Sequence, residues 1–97
     1  MVIVWGSIEA KAEKIEEVMQ LSLAHVQRSR REAGCISHSV QSDLENGSRL
    51  IFFEEWEDMQ ALQAHFKLAE SQDFVASVAS LAVGPPSMKI FTATQVS

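Results

Sequence analysis

Residues 35–56 read CISHSVQSDLENGSRLIFFEEW, and this stretch decides the fold. From Cys35 to Ser42 the side chains alternate. Ile36, His38 and Val40 fall on one face, and Cys35, Ser37, Ser39 and Gln41 on the other, as they do along a strand. Arg49 to Trp56 is a second strand pattern, apolar enough to be central. There Leu50, Phe52, Glu54 and Trp56 share one face, while Ile51, Phe53 and Glu55 share the other. Asp43 to Ser48 is a turn between them, with Asn46-Gly47 the strongest local hairpin signal. The middle of the chain is therefore a hairpin.

Upstream, the period changes. Ala12, Ile15, Val18, Met19, Ser22, Leu23 and Val26 recur at helical spacing, with Glu13, Lys14, Glu16 and Glu17 between them. That stripe places His25 off the buried side, facing solvent. Acidic residues gather in the first turns and Arg28, Arg30 and Arg31 in the last, matching the helix dipole at both ends. The arginines are thus explained as a helix C-terminus, and Gly34 supplies a left-handed stop. Before this helix, residues 2–9 are a β-branched-rich run around Trp5, a first strand. Downstream of the hairpin, Asp58 can cap a helix carrying Met59, Leu62 and Phe66. After a break near Leu68 to Ser71, a third helical stripe holds Phe74, Val75, Val78, Leu81 and Ala82. Gly84-Pro85-Pro86 ends it, and Met88 to Val96 is a last strand.

The order is β-α-β-β-α-β with the second helical region in two pieces. It predicts an α+β, ferredoxin-like domain over residues 1–97 with a four-stranded antiparallel sheet. The helices can cover only one face of that sheet. An uncovered face carrying apolar side chains is a binding surface, and a second copy of the chain can hide it, so the pattern predicts a homodimer.

Composition sets outer bounds. The chain has 97 residues, 46% of them hydrophobic and 22% charged. A chain this short buries a smaller fraction of its surface than a longer one and gains from a partner subunit. The net charge of −5, from 13 acidic against 8 basic residues, argues against nucleic acid and anionic membrane as partners. A lone cysteine, Cys35, makes no internal disulfide. No apolar run approaches the roughly 20 residues of a membrane span. The expected location is the cytoplasm.

Three segments carry a family resemblance: Glu32-Ala33-Gly34-Cys35, Phe52-Phe53-Glu54-Glu55-Trp56-Glu57-Asp58, and Ala61-Leu62-Gln63-Ala64-His65-Phe66. They resemble the antibiotic-biosynthesis-monooxygenase, or quinol-monooxygenase-like, domains from Val2 to about Thr94. The resemblance implies a dimeric α+β barrel with a pocket between each sheet and its helices. Some members of the family oxygenate phenolic or quinol substrates with molecular oxygen, using neither metal nor flavin. Others degrade haem, isomerise small phosphorylated sugars, or have no known reaction. The resemblance therefore implies a cofactor-independent monooxygenase acting on a small aromatic or quinone-like compound. Its rivals are an isomerase of a small phosphorylated metabolite and a non-catalytic ligand-binding dimer of a stress response.

On this reading the proton-transfer residues are His65, Glu54 and, as a second donor, His38. Trp56, Phe52, Phe66 and Phe74 line the pocket. His65 matches the family's histidine in the second helix, and an imidazole titrates near neutrality. Glu54 would act as base or orient His65. As a charge on a central strand it needs a partner, for which Arg49 is one candidate. Each has a plainer reading: His65 as a packed histidine bonded to backbone, Trp56 as core, His38 at a dimer contact, Cys35 as strand-start packing. The chain lacks tyrosine, so no tyrosine donor is available. Glu70 stands where many relatives have a second histidine. Ser7, His65 and Val75 stand where the haem-degrading branch has asparagine, tryptophan and histidine, which argues against haem. His25, His38 and His65 show no local metal-ligand spacing, so no metal is expected. An isomerase would need a basic phosphate site, for which only Arg49, Lys67 and Lys89 are placed.

Overall fold

The computed structural model describes residues 1–97. The elements are β1 (Val2–Glu9), α1 (Ile15–Ser29), β2 (Cys35–Asp43), β3 (Asn46–Trp56), α2 (Met59–Lys67), α3 (Ala69–Ala79) and β4 (Ser87–Thr92). They form a four-stranded antiparallel sheet in the order β2-β3-β1-β4, the ferredoxin-like arrangement that the element order predicts. No helix is long and apolar enough to cross a membrane.

The alternation along β1 and β3 sorts the two faces. Val2, Val4 and Ile8 of β1 and Leu50, Phe52 and Trp56 of β3 are buried beneath the helices. They pack with Val18 and Val26 of α1, Leu62 of α2 and Val78 of α3 in two adjoining clusters. Burying each such side chain is worth about 1.5–3 kcal/mol, so this face holds the domain together. The opposite face has no helix. Its Trp5 and Phe91 are each 49% exposed, and Ile3, Ile51 and Phe53 are half-buried.

Local chemistry differs from the sequence reading at several points. The hairpin turns at Leu44-Glu45, with Asp43 paired to Asn46, and not at Asn46-Gly47. Asp43 Oδ1 accepts from the Glu45 amide at 2.9 Å and Asp43 Oδ2 from Arg49 at 3.0 Å. These contacts hold the Asp43 carboxyl below its usual range, the Glu45 amide contributing most. They fix the corner two residues earlier than the glycine suggests. Gly47 sits in ordinary strand geometry, since only Gly34 and Gly84 have positive φ. A bulge between Cys35 and Ser37 turns Ile36 out to solvent and Cys35 in beside Trp56 and Leu62. Helix α1 begins at Ile15 and buries Val18, Ser22, His25, Val26 and Ser29. Its stripe is rotated from the predicted one because the small Ser22 and Ser29 let the helix approach the sheet closely. Met19 and Leu23 are left exposed. In α3 Val75 is exposed, while Leu81 and Ala82 are buried beyond the helix end, where Ala82 bridges to Ala10. Strand β4 stops at Thr92, short of the predicted Val96, which is exposed.

Two predicted punctuation marks hold. Asp58 caps α2, its Oδ1 accepting from the Ala61 amide at 2.8 Å. Gly34 adopts φ of +83°, and a Cβ there would lie 2.5 Å from the Ala61 Cβ. Gly34→Ala therefore combines left-handed strain with a collision against α2. We expect it to destabilise the fold by about 2–3 kcal/mol, read as a lowered urea midpoint.

Candidate functional site

A cavity of about 360 Å³ lies between the sheet and the helices. Its floor includes Gly6, Ile8, Phe52 and Glu54, its helical wall includes His25, His65, Phe66, Phe74 and Val78, and Met88 of β4 stands at its rim. Gly6 adds no side chain to the floor; a Cβ there would lie 3.4 Å from the Ser87 carbonyl oxygen. Of the residues singled out in the sequence, Phe52, Glu54, His65, Phe66 and Phe74 line this space. Trp56 and His38 do not. Both are almost wholly buried behind the wall and meet the cavity only through Glu54 and His65. No lysine or arginine lines the cavity, so Arg49, Lys67 and Lys89 supply no phosphate site there.

The polar residues are held in a chain of contacts. Glu54 Oε1 accepts from Trp56 Nε1 at 2.9 Å, and His38 Nε2 lies 3.3 Å from the same oxygen. The His38 contact is electrostatic and poorly aligned, and neither ring nitrogen of His38 has a hydrogen-bond partner. Burial pushes the Glu54 carboxyl up, but His38, Trp56 and His65 together outweigh it and hold the group below its ordinary value. Glu54 is thus an anion on the cavity floor, and its partners are Trp56 and His38 rather than Arg49. His65 is oriented by Glu32, whose Oε1 lies 2.7 Å from His65 Nδ1, and not by Glu54. With its Nδ1–H donated to that carboxylate, His65 keeps Nε2 as a basic lone pair.

His25 is the functional-site residue that the sequence reading missed. It is 6% exposed and stacks on Phe74 with ring centres 4.1 Å apart. Arg28 donates to its Nδ1 at 3.0 Å, which leaves the ring proton on Nε2. Burial and then the neighbouring His65, His38 and Arg28 push its pKa down to about 3. The cavity wall therefore carries one imidazole, His65, with a lone pair free on Nε2 and a second, neutral one, His25, with a free N–H. Recentring the α1 stripe on Val18, Ser22, Val26 and Ser29 would have placed His25 inward. Cys35 is half-buried, and burial, then Glu32 and Glu54, push its thiol up, away from nucleophilic use.

The His25 environment has a consequence for stability. The unfolded chain binds a proton on this ring near 6.5, whereas the folded chain does so only near 3. Between those values the unfolded state holds more protons, so stability falls as the pH drops through this window; above 6.5 the effect vanishes. The lowered Glu54 carboxyl acts in the same direction at the acid end of the window. His25→Phe, which keeps the stack on Phe74, is expected to flatten the loss of urea midpoint between neutral pH and pH about 5.

Comparison with known proteins fits this architecture. An uncharacterized protein of Synechocystis sp., sll1783, is 36% identical over 90 residues, covering 93% of this chain. This chain spans only 61% of that relative's length. YcnE of Bacillus subtilis, provisionally assigned as a monooxygenase, is 29% identical over 85 residues, covering 88% of this chain and 90% of YcnE. Among solved structures, a Deinococcus radiodurans protein provisionally assigned as an antibiotic biosynthesis monooxygenase superposes with a TM-score of 0.94 at 25% identity. The match covers 99% of this chain and 95% of that one. The profile of the family described as "Antibiotic biosynthesis monooxygenase" matches residues 1–77. The chain belongs to that family. Membership supports a generic monooxygenase-like role, and the matched stretch contains every polar side chain named above on the cavity wall.

Proposed function

We propose that this antibiotic-biosynthesis-monooxygenase domain is a cofactor-independent monooxygenase acting on a small aromatic or quinol compound with molecular oxygen. The observation that carries the reading is His65, held by Glu32 at 2.7 Å in the wall of an otherwise apolar cavity. Triplet oxygen reacts slowly with closed-shell organic molecules, whereas an electron-rich anion can pass it one electron. His65 Nε2 removes the acidic proton of a phenol or anthrone-type substrate, and the His25 N–H steadies the oxyanion. The anion and oxygen then give a superoxide–radical pair that combines to a peroxide. Loss of water leaves a carbonyl where an anthrone had its CH2 group, or where a phenol had the ring CH para to its hydroxyl. One oxygen atom enters the product and the other leaves as water with the substrate's two hydrogens, so no external reductant is needed. Glu54 disfavours a second negative charge near the floor and sets which end of the substrate enters first. His38 supports Glu54 from behind.

An isomerase of a phosphorylated metabolite has less support, because the cavity lacks a basic residue. A purely binding role would suit a cavity without proton-transfer groups, and this wall carries two histidines and a carboxylate. The test is aerobic oxygen uptake with a panel of quinols, naphthols and anthrones. Uptake above the buffer rate with at least one compound is expected; a flat response across the whole panel would rule the reading out.

We also propose that the protein works as a homodimer, joined through the helix-free sheet face, in the cytoplasm. Trp5 and Phe91, each 49% exposed, are large apolar side chains left open on that face, and hiding them is worth a few kcal/mol per subunit. Trp5→Glu is expected to shift sedimentation from two subunits to one, without loss of helical circular dichroism. A mutant that sediments like the parent would exclude this face as the contact.

A further inference from the structure

The three histidines of the chain, 13 and 27 positions apart in sequence, come from α1, β2 and α2 and meet in one place. All are buried, and each offers a ring nitrogen within 4.8 Å of those of the other two. Their ring centres form a nearly equilateral triangle, with sides of 5.4 Å between His25 and His38, 5.2 Å between His25 and His65, and 5.6 Å between His38 and His65. A tetrahedral zinc ion bound by imidazoles at about 2.0–2.1 Å holds its ring centres roughly 5 Å apart. We propose that His25, His38 and His65 form a site for one divalent transition-metal ion of the zinc type, with its fourth position facing the cavity. This inference does not depend on the oxygenase reading.

Three further observations support the assignment. His38 is 1% exposed and neither of its nitrogens has a hydrogen-bond partner. A buried imidazole left in that state is costly unless something takes its lone pair. No hydrogen bond has to be broken at His38 for it to ligate, and the donor atoms already lie within 4.8 Å of one another. The Glu32–His65 pair is the carboxylate–histidine arrangement that fixes the tautomer and raises the basicity of metal-bound imidazoles. Glu54, an anion 3.3 Å from His38, offsets the charge of a dication. One contact opposes binding: Arg28 donates to His25 Nδ1, and ligation through Nε2 puts the ring proton on Nδ1 and displaces that donor. Arg28 is half-buried and retains the Glu70 carbonyl at 3.2 Å. Sequence spacing gave no metal signal because each ligand sits on a different element.

The test is titration of untagged, chelator-stripped protein with zinc(II) by calorimetry and with cobalt(II) by visible absorption. One ion per chain is expected, with a dissociation constant of about 1 μM or tighter at neutral pH, weakening as the pH falls, and with the d–d bands of tetrahedral cobalt. His38→Gln should abolish binding. Glu32→Gln, which leaves the three ligands in place, should weaken it about 10-fold or more. Arg28→Gln should tighten it by removing the competing donor and its charge. No saturable binding, octahedral cobalt bands, or binding that survives His38→Gln would each overturn the site. Unchanged affinity in Arg28→Gln would remove His25 as a ligand and overturn the three-histidine assignment. A bound ion occupies the lone pair that His65 needs as a base, so zinc is expected to inhibit any oxygen uptake and chelation to restore it.

Discussion

His65→Gln is expected to lower turnover of an oxidisable substrate by about 10²–10⁴-fold, the range supplied by a positioned general base. Glutamine nearly fills the volume and keeps a hydrogen bond to Glu32, but it cannot accept a proton. The loss should fall on kcat rather than KM, because the apolar walls Phe52, Phe66 and Phe74 are untouched. Glu32→Gln provides the companion measurement. Glu32 meets His65 Nδ1 at 2.7 Å, so Glu32→Gln loosens the hold on the ring's tautomer and is expected to lower kcat with KM unchanged. A merely structural role for either residue would reduce stability and leave kcat where it was. A His65→Gln protein of unaltered kcat would remove His65 from the chemistry.

Glu54→Ala is expected to be the most damaging single change to stability, at about 3–5 kcal/mol, the usual cost of removing one partner of a buried charged pair. The substitution leaves the Trp56 N–H, at 2.9 Å from the lost oxygen, without an acceptor inside the core. It also leaves His38, already without a well-aligned hydrogen bond, facing a void. Domains of this size are commonly stable by only about 5–15 kcal/mol, so the variant should approach the folding threshold. Glu54→Gln keeps an oxygen for Trp56 and should lose only about 1–2 kcal/mol. Urea midpoints at constant m-value give both numbers. Equal effects of Ala and Gln would show that the Trp56 and His38 contacts contribute little.

Much of the fold was legible because local pattern and tertiary packing agree. The alternation of Leu50, Phe52, Glu54 and Trp56 on the buried face, the Asp58 cap and the Gly34 turn are each settled by a few neighbouring residues. The readings that failed depend on side-chain contacts that hydropathy patterning does not register. The hairpin corner moved to Leu44-Glu45 because Asp43 finds both the Glu45 amide and Arg49. The α1 stripe turned to put Ser22, His25 and Ser29 inward, since close approach to the sheet favours small side chains over the bulkier Met19 and Leu23. That same rotation brought His25 into the site, although it falls off the apolar stripe that the sequence shows. The orienting partner of His65 was also hidden, because Glu32 lies 33 positions earlier in the chain. Trp56, a pocket wall by the family resemblance and core on the plainer reading, is core; its N–H bond to Glu54 holds it behind the floor.

The most direct test of the oxygenase account is mass spectrometry of the product formed under 18O2 by flavin-free, chelator-treated protein from an anthrone-type substrate. The account predicts one 18O atom in each new carbonyl, with the second recovered as labelled water, and no product from His65→Gln above the buffer rate. Product oxygen derived from solvent, or turnover that begins only when a metal or flavin is added back, would contradict it.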